Sequence, residues 1–317
     1  MKKFILILLA IAAILGAVVL YFGNFMLEVA VHPQSDTRYQ LDSCLVAVYN
    51  KYPELELWRD TLIQKGNWRD TMLVAEDGTL RHGVVMHHDS LSNGSTVILH
   101  GYNDNTVRMM RYAYLHYEML GRDVIVPDHF GHGLSGGDHI RFAWLDHYDI
   151  CQLWIPLAHQ LWPEDQMVVH GLSMGGAMTM YTSGEQFDDS LRLVGFIEDC
   201  GYSGIWEQLE YQLKQEYGMP AFPLLYVANW LCGVKYGWTF RDGDALKQVA
   251  KCQKPMLFIH GDADDYVPTW MGMKAYETKQ GTKELWIVPG AKHARSIHNN
   301  WEEYCQRCEE FIDRIQD

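Results

Sequence analysis

The stretch that decides the fold of this chain is residues 167–180, which read MVVHGLSMGGAMTM. Its apolar beginning predicts a buried strand, and the run of small residues after it predicts a helix. Gly171 and Gly175 flank Ser173 and let the backbone turn sharply between strand and helix, where a Cβ atom would clash. The hydroxyl of Ser173 is therefore expected at the exposed tip of a strand–turn–helix, where it can act as a nucleophile.

Short apolar strands alternate with helical patterns on both sides of this stretch. Strands are predicted at residues 68–75, 80–88, 96–99, 123–126, 167–169, 193–197, 255–259 and 285–288. A turn signal at Glu76–Gly78 makes the first two strands a hairpin, whereas helices separate the later ones. The alternation predicts an α/β fold with a mostly parallel sheet of about eight strands and helices on both faces.

The alternation lapses between residues 200 and 254, where the sequence looks helical and is unusually aromatic. We predict that this segment is a small helical cap insertion in a catalytic domain spanning residues 68–317, preceded by a helical lead-in over residues 29–67. The alternative is an ordinary packed insertion that covers no site. Candidate lining residues of an apolar substrate pocket under the cap are Tyr202, Trp206, Phe222 and Trp230.

The N-terminus has the pattern of a membrane segment. Lys2 and Lys3 precede residues 4–27, which contain no charged residue and are long enough as a helix to cross a hydrocarbon core. No small-x-small site follows, which favours an uncleaved signal anchor over residues 1–28 rather than a cleaved signal peptide. The two lysines are expected to stay in the cytoplasm, which would put the catalytic domain outside it, in the periplasm or at the cell exterior.

Composition excludes some classes of protein. A formal net charge of −14 offers no basic stripe for phosphates, so a nucleic-acid partner is not expected. The seven cysteines are scattered and odd in number, and they do not suggest a disulfide framework. Cys305 and Cys308 have redox-pair spacing, but they fall in a helical pattern, so we expect buried thiols.

A serine hydroxyl is a weak nucleophile until a base takes its proton. Among the fifteen histidines, His293 follows the last predicted strand and precedes the last predicted helix, a loop from which it can reach Ser173. His298 in the same region is the second choice.

The histidine in turn needs a carboxylate that holds its tautomer and orientation. Asp264, in the loop after the strand at 255–259, is our candidate. Asp262 and Asp265 compete with it, although both suit turn or capping roles. Asp199, after the preceding strand, is a further rival.

The remaining parts of the site come from loops after strands. Oxyanion donors are expected from the backbone N–H groups of Met174, at the helix start, and Tyr102, after the strand at 96–99. His100 beside Tyr102 is interpreted as structural. The glycine-rich loop at 128–137 lacks the spacing of a phosphate-binding loop, so a tight turn bordering the site is the favoured interpretation.

Five other histidines raise the question of a metal. None of them lies in a metal-binding spacing, and we expect neither a catalytic metal nor a cofactor. They are His87, His88, His129, His132 and His139.

The motifs together resemble the serine hydrolases of the α/β-hydrolase fold, in particular serine aminopeptidases, monoacylglycerol-lipase-like esterases and bacterial membrane-anchored hydrolases of the YqkD type. The resemblance covers roughly residues 70–317 and is carried by His100–Tyr102, Asp128–Gly137, Gly171–Gly176, Asp199–Tyr202, Phe258–Pro268 and Ala291–Ala294. It implies a catalytic triad of Ser173, Asp264 and His293, in the chain order of that fold, with oxyanion donors at Tyr102 and Met174. Lys292 departs from the glycine that such enzymes more often have before the histidine.

These patterns predict a membrane-anchored serine hydrolase that cleaves a small carboxylic ester through an acyl-enzyme. The alternative within enzymes is an aminopeptidase acting on short peptides, for which Glu198, Glu207 or Glu210 would have to hold a free amino terminus. The alternative outside enzymes is a membrane-tethered binding module without activity.

Overall fold

The computed structural model describes residues 1–33 and 36–316 and contains an eight-stranded sheet in the order β1-β2-β4-β3-β5-β6-β7-β8. The strands are β1 (Trp68–Val74), β2 (Leu80–Met86), β3 (Ser95–Leu99), β4 (Asp123–Pro127), β5 (Met167–Leu172), β6 (Leu193–Asp199), β7 (Met256–Gly261) and β8 (Lys283–Val288). Strand β2 is antiparallel to both β1 and β4, and the pairs from β4 through β8 are parallel. The mostly parallel sheet predicted from the sequence is confirmed.

Helices precede the sheet and connect its strands. They are α1 (Lys2–Val31), α2 (Leu41–Lys51), α3 (Glu54–Lys65), α4 (Met110–Tyr114), α5 (Asp146–Asp149), α6 (Ile155–Leu161), α7 (Met174–Ser183), α8 (Ile205–Tyr217), α9 (Leu224–Tyr236), α10 (Ala245–Val249), α11 (Thr269–Thr278), α12 (Ser296–Asn299) and α13 (Trp301–Gln316). A 3-10 turn at Thr106–Met109 and π turns at Leu115–Met119 and Ile150–Trp154 extend α4, α5 and α6 into longer helical segments. Helices α8 and α9 follow β6, within the predicted insertion.

Both faces of the central strands β3, β4 and β5 are buried, as parallel sheets require. Alternate residues of β3 illustrate this, because Val97 belongs to one apolar cluster and Ile98 to the other. Helix α7 contributes Met178 to the first cluster, and α13 contributes Phe311 to the second. Helices therefore cover both faces, and the loops at the carboxyl ends of β5, β7 and β8 are left to form a site.

The apolar N-terminal segment forms one long helix, α1, whose two ends have different surroundings. Its most apolar 18-residue window has a mean hydropathy of 3.0 and is not buried at all, so by length and composition it is able to cross a membrane. Its last turns pack into the domain core, where Leu27 and Val31 are fully buried. The helix thus extends past the predicted boundary at residue 28 and packs directly on the α/β domain.

Candidate active site

Ser173 is the single residue between the end of β5 and the start of α7, and its backbone has φ 56° and ψ −114°. A residue with a Cβ atom rarely adopts such a φ, and strain of this kind is concentrated at functional sites. The two flanking glycines are needed for close approach. A Cβ at Gly171 would lie 2.0 Å from the carbonyl oxygen of Gly175, and one at Gly175 would lie 2.1 Å from that of Leu99.

Three side chains from three loops form a hydrogen-bonded chain at the carboxyl end of the sheet. Ser173 Oγ lies 2.8 Å from His293 Nε2, to which it can donate. On the other side of the ring, His293 Nδ1 lies 2.7 Å from Asp264 Oδ2. His293 follows β8 and Asp264 follows β7, so the parallel sheet brings together residues that are far apart in the sequence.

The carboxylate of Asp264 is held in one orientation from several sides. Its Oδ1 accepts hydrogen bonds from the backbone N–H groups of Tyr266, at 3.0 Å, and Val267, at 2.9 Å. Burial alone would raise the pKa of Asp264, but hydrogen bonds from His260 and His293 outweigh it and lower the pKa to about 2. The group is therefore an anion throughout the neutral range and can orient the imidazole.

The structure separates Asp264 from its rivals. Asp199 Oδ2 accepts hydrogen bonds from two buried tyrosine hydroxyls, at 3.1 and 2.9 Å. Asp262 accepts the backbone N–H of Gly290, and Asp265 is exposed. His298 is bonded through Nδ1 to the hydroxyl of Tyr52 rather than to Ser173.

The two backbone N–H groups predicted as oxyanion donors belong to residues at the cavity of Ser173. Tyr102 and Met174 line the same cavity as Ser173. In the turns and loops of residues 1–33 and 36–316, the backbone N–H groups of Tyr102 and Met174 donate to no backbone carbonyl. Met174 is the first residue of α7, where the positive end of the helix dipole favours negative charge. The role of the two groups as oxyanion donors stays a prediction.

The histidine and glycine-rich loops next to the site are structural in their contacts. His100 is buried, and its Nε2 accepts the backbone N–H of His129 at 3.1 Å. Burial, with a further contribution from His129, lowers the pKa of His100 to about 3, so the ring is neutral. Asp128 ties the loop at 128–137 together by accepting the backbone N–H of Leu134.

A mostly apolar cavity of about 210 Å³ leads to Ser173. Its walls come from the loop after β3, from α8 and α9, and from the end of α1. Its lining includes Met26, Val29, Ala30, Tyr202, Leu213, Leu225 and Ala228.

The aromatic pocket predicted from the sequence has to be corrected. Tyr202 does line the cavity, but among the described residues Trp206, Phe222 and Trp230 are not part of its lining. Phe222 is 71% exposed and Trp230 is 57% exposed. Trp206 instead packs under the guanidinium of Arg241. The physical reason is that α8 and α9 turn aliphatic residues such as Leu213 and Leu225 toward the site.

Three glutamates were predicted as possible ligands of a peptide amino terminus. Among the described residues, Glu198, Glu207 and Glu210 are not part of the cavity lining. Glu198 is fully buried and accepts the backbone N–H of Gly201. Burial raises the pKa of Glu198 to about 8, so its carboxyl is mostly neutral at pH 7 and unsuited to an ammonium group. Glu216, which the sequence did not single out, does line the cavity and is exposed.

Potential metal ligands converge at one place in the described chain. Cys200, Asp264 and His293 bring ligand atoms within 4.8 Å of one another. Two of these residues belong to the hydrogen-bonded chain of Ser173. The five histidines considered from the sequence do not form such a group within the described residues.

Sequence reasoning missed two parts of the site. His260 is buried, donates from Nε2 to the carbonyl oxygen of Val267 at 2.8 Å, and lies 3.5 Å from Asp264. Its position four residues before Asp264 in the same motif was the available signal. The contribution of α1 to the cavity had no such signal, because it depends on how that helix packs.

Comparisons with known proteins agree with this geometry. The sequence model of the serine aminopeptidase family S33 matches residues 92–197, and that of the prolyl oligopeptidase family matches residues 146–317. The protein YqkD of Bacillus subtilis strain 168 is 31% identical over 233 residues, covering 74% of this chain and 75% of YqkD.

Solved structures with the same fold include two esterases. The Pyrococcus furiosus esterase Pf2001 superposes with a TM-score of 0.63 at 20% identity, covering 79% of this chain and 93% of the esterase. Est1E of Butyrivibrio proteoclasticus, solved with ferulic acid, superposes with a TM-score of 0.60 at 18% identity, covering 77% and 99% of the two chains. At these identities the likeness concerns the fold alone.

Proposed function

We propose that this chain hydrolyses carboxylic esters through an acyl-enzyme on Ser173. The chain belongs to the α/β-hydrolase family of serine hydrolases, and it matches the prolyl oligopeptidase family over more than half its length. One observation carries the proposal. Ser173 Oγ, His293 and Asp264 are linked by hydrogen bonds of 2.8 and 2.7 Å. In this arrangement, His293 can act as the base that activates Ser173, and Asp264 orients the histidine ring.

The reaction proceeds in two acyl transfers. Ser173 Oγ attacks the ester carbonyl carbon while its proton passes to His293 Nε2. The tetrahedral intermediate collapses, the bond to the alcohol oxygen breaks, and His293 returns the proton to the leaving alcohol. Water then attacks the acyl-enzyme, with His293 again as base, and releases the acid and free Ser173. Every proton is returned, so the cycle requires no cofactor.

The negative charge of each tetrahedral intermediate is stabilised by the N–H groups of Tyr102 and Met174. Loss of one such donor typically costs about 10²–10³-fold in rate. Asp264 stays ionised and stabilises the imidazolium that forms during each step, without taking the proton itself.

An ester with an apolar acyl part suits the cavity best. Its lining is dominated by aliphatic and aromatic side chains, among them Leu213, Leu225 and Phe240. An apolar acyl group gains free energy for each methylene that leaves water there.

A fluorophosphonate probe tests the serine hydrolase proposal. We expect the full-length protein to be labelled and the Ser173→Ala variant not to be. Equal labelling of both proteins would refute the activity and would favour the non-catalytic binding module. Ser183→Ala is a matched control, because this buried serine at the end of α7 donates to the carbonyl oxygen of Met180 and, within the described residues, is not part of the cavity lining.

A peptidase is the second candidate, and two observations favour it. The matching family models are those of peptidase families, and the Glu216 carboxylate at the cavity is able to bind an amino terminus. Turnover of a nitrophenyl ester and of an aminoacyl-nitroanilide should be compared. A preference for the anilide that is lost in Glu216→Gln would replace the esterase by the peptidase.

The proposal includes a retained membrane anchor with Lys2 and Lys3 in the cytoplasm and the catalytic domain outside it. The apolar, unburied part of α1 supports a membrane span. The burial of Leu27 and Val31 in the core supports retention, since cleavage after Val31 would remove both of these core side chains. Protease added to intact cells, or to spheroplasts where there is an outer membrane, should degrade the domain. Full protection would contradict this orientation.

A further inference from the structure

Helix α1 is joined to the catalytic domain along one side of its last turns. Gly23, Leu27 and Val31 are buried and spaced four residues apart, so they form a single stripe. A Cβ at Gly23 would lie 2.5 Å from Val227 on α9, which shows how closely the two helices approach. The ammonium of Lys235 on α9 donates to Asn24 and Glu28, at 2.6 Å each.

An adjacent stripe of the same turns faces the active site. Met26, Val29 and Ala30 line the cavity of Ser173. The hydroxyl of Tyr102 donates to the carbonyl oxygen of Ala30 at 2.8 Å. Helix α1 is thus tied to the residue whose backbone N–H we assign to the oxyanion hole.

The distance between this wall and a membrane follows from helix geometry. About 20 helical residues, at about 1.5 Å each, cross a hydrocarbon core of about 30 Å. Counted from Phe4, such a span ends near Gly23. Met26 is then only about 4.5 Å further along the helix. With such a span, the cavity wall would stand at the level of the lipid headgroups.

The cap reaches the same level. Gly23 faces Val227 and Glu28 faces Lys235, so α9 runs in the same direction as α1 and its first turn lies on the membrane side. Phe222 and Tyr226 are exposed there, at 71% and 49%. Exposed aromatic rings are enriched at membrane interfaces, where an apolar ring and a polar edge both find partners.

We propose that the end of α1 that emerges from the bilayer is a wall of the acyl site, and that the substrate is a lipid ester whose acyl chain passes from the bilayer surface along Met26 and Val29 to Ser173. The inference rests on the proposed serine hydrolase activity. It gives α1 a role in specificity besides anchoring, and it explains why aliphatic residues of α1, α8 and α9 line the cavity while Phe222 and Trp230 are exposed.

The test compares two fluorophosphonates, one with an ethyl and one with a hexadecyl chain, on the full-length protein in detergent. Each probe forms a bond from Ser173 Oγ to phosphorus and loses fluoride, while the serine proton passes to His293. We expect the hexadecyl probe to react at least tenfold faster, because each buried methylene is worth roughly a factor of four. Val29→Trp, which narrows the cavity, should abolish this preference by slowing the hexadecyl probe much more than the ethyl probe.

Leu15→Trp is the matched control, because Leu15 is exposed on the apolar part of α1 and should keep the wild-type preference. Met26→Ala enlarges the cavity and should lower hexadecyl labelling several-fold, which covers the case that Val29→Trp does not fold. Equal slowing of both probes, or no change in either, would overturn the inference. Absence of labelling in the wild type by either probe would instead refute the proposed function.

The route from the bilayer is tested with the protein reconstituted in phosphatidylcholine vesicles. The hexadecyl probe is placed either in the same vesicles or in separate vesicles mixed in afterwards. Faster labelling from the same vesicles is expected, and equal initial rates would overturn entry from the membrane.

Discussion

Asp264→Asn is the substitution that probes the proposed mechanism most sharply. The Asn side chain has the same shape, and its oxygen can still accept the N–H groups of Tyr266 and Val267 that now bond Oδ1. Its amide NH₂ then faces His293 Nδ1 in place of a carboxylate oxygen. The ring must respond by placing its own proton on Nε2, the atom that should take the proton of Ser173.

The size of the effect follows from this change of tautomer. In a Ser-His-Asp triad the same substitution lowers kcat by about 10⁴-fold, because the geometry survives and the base is lost. A 10⁴-fold loss corresponds to about 5.4 kcal/mol of transition-state free energy. We expect a loss of that order for ester hydrolysis at pH 7, with KM nearly unchanged.

The assay is steady-state hydrolysis of a nitrophenyl ester by the full-length protein in detergent. Asp262→Asn and Asp199→Asn serve as controls, since both carboxylates bond other partners than His293. A loss of less than tenfold in Asp264→Asn would refute the assignment. So would an equal loss in Asp262→Asn, provided that thermal unfolding shows all variants to be folded.

Three further outcomes are expected. The pKa of Asp264 is lowered from 3.8 to about 2 in the folded protein, so its ionised form contributes about 2 kcal/mol to stability above pH 4, and this contribution is lost as the pH falls toward 2. The free energies of unfolding of wild type and Asp264→Asn should therefore converge over that pH range. A constant difference between the two proteins would contradict this prediction. Leu27→Ala should lower the free energy of unfolding by about 2–5 kcal/mol, as for other buried leucines. The control Leu15→Ala should leave the thermal unfolding temperature nearly unchanged, because Leu15 is exposed on the same helix. Gly175→Ala should abolish labelling by the fluorophosphonate probe, because its Cβ would lie 2.1 Å from a carbonyl oxygen. The control Gly16→Ala should label normally, because a Cβ there has nothing within 4 Å. Normal labelling of both variants would refute the tight turn at Ser173.

The local parts of the site were predictable because they depend on neighbouring residues. A strand, two glycines and a helix around Ser173 require the same turn wherever they occur, and β5 and α7 lie on either side of it as expected. The placement of His293 and Asp264 also followed, since loops after parallel strands meet at one edge of a sheet.

The choice among similar residues could not be made in that way. Asp262, Asp264 and Asp265 share one loop, and only the packing of that loop against β8 decides which carboxylate meets His293. The cap shows the same limit. A run of aromatic residues predicts an apolar surface, but the rotation of α9 decides that Trp230 faces outward while Leu225 faces the site.

By itself, the sequence determined the fold class, the nucleophile elbow, the order of the triad candidates and an apolar N-terminal helix. Each of these rests on periodicity or on residues close together in the chain. Only the tertiary structure decided that α1 packs on α9 and lines the cavity of Ser173, joining Met26 to a serine 147 positions later. No local pattern encodes that contact, because its free energy comes from apolar surfaces that meet only after the sheet and the cap have formed.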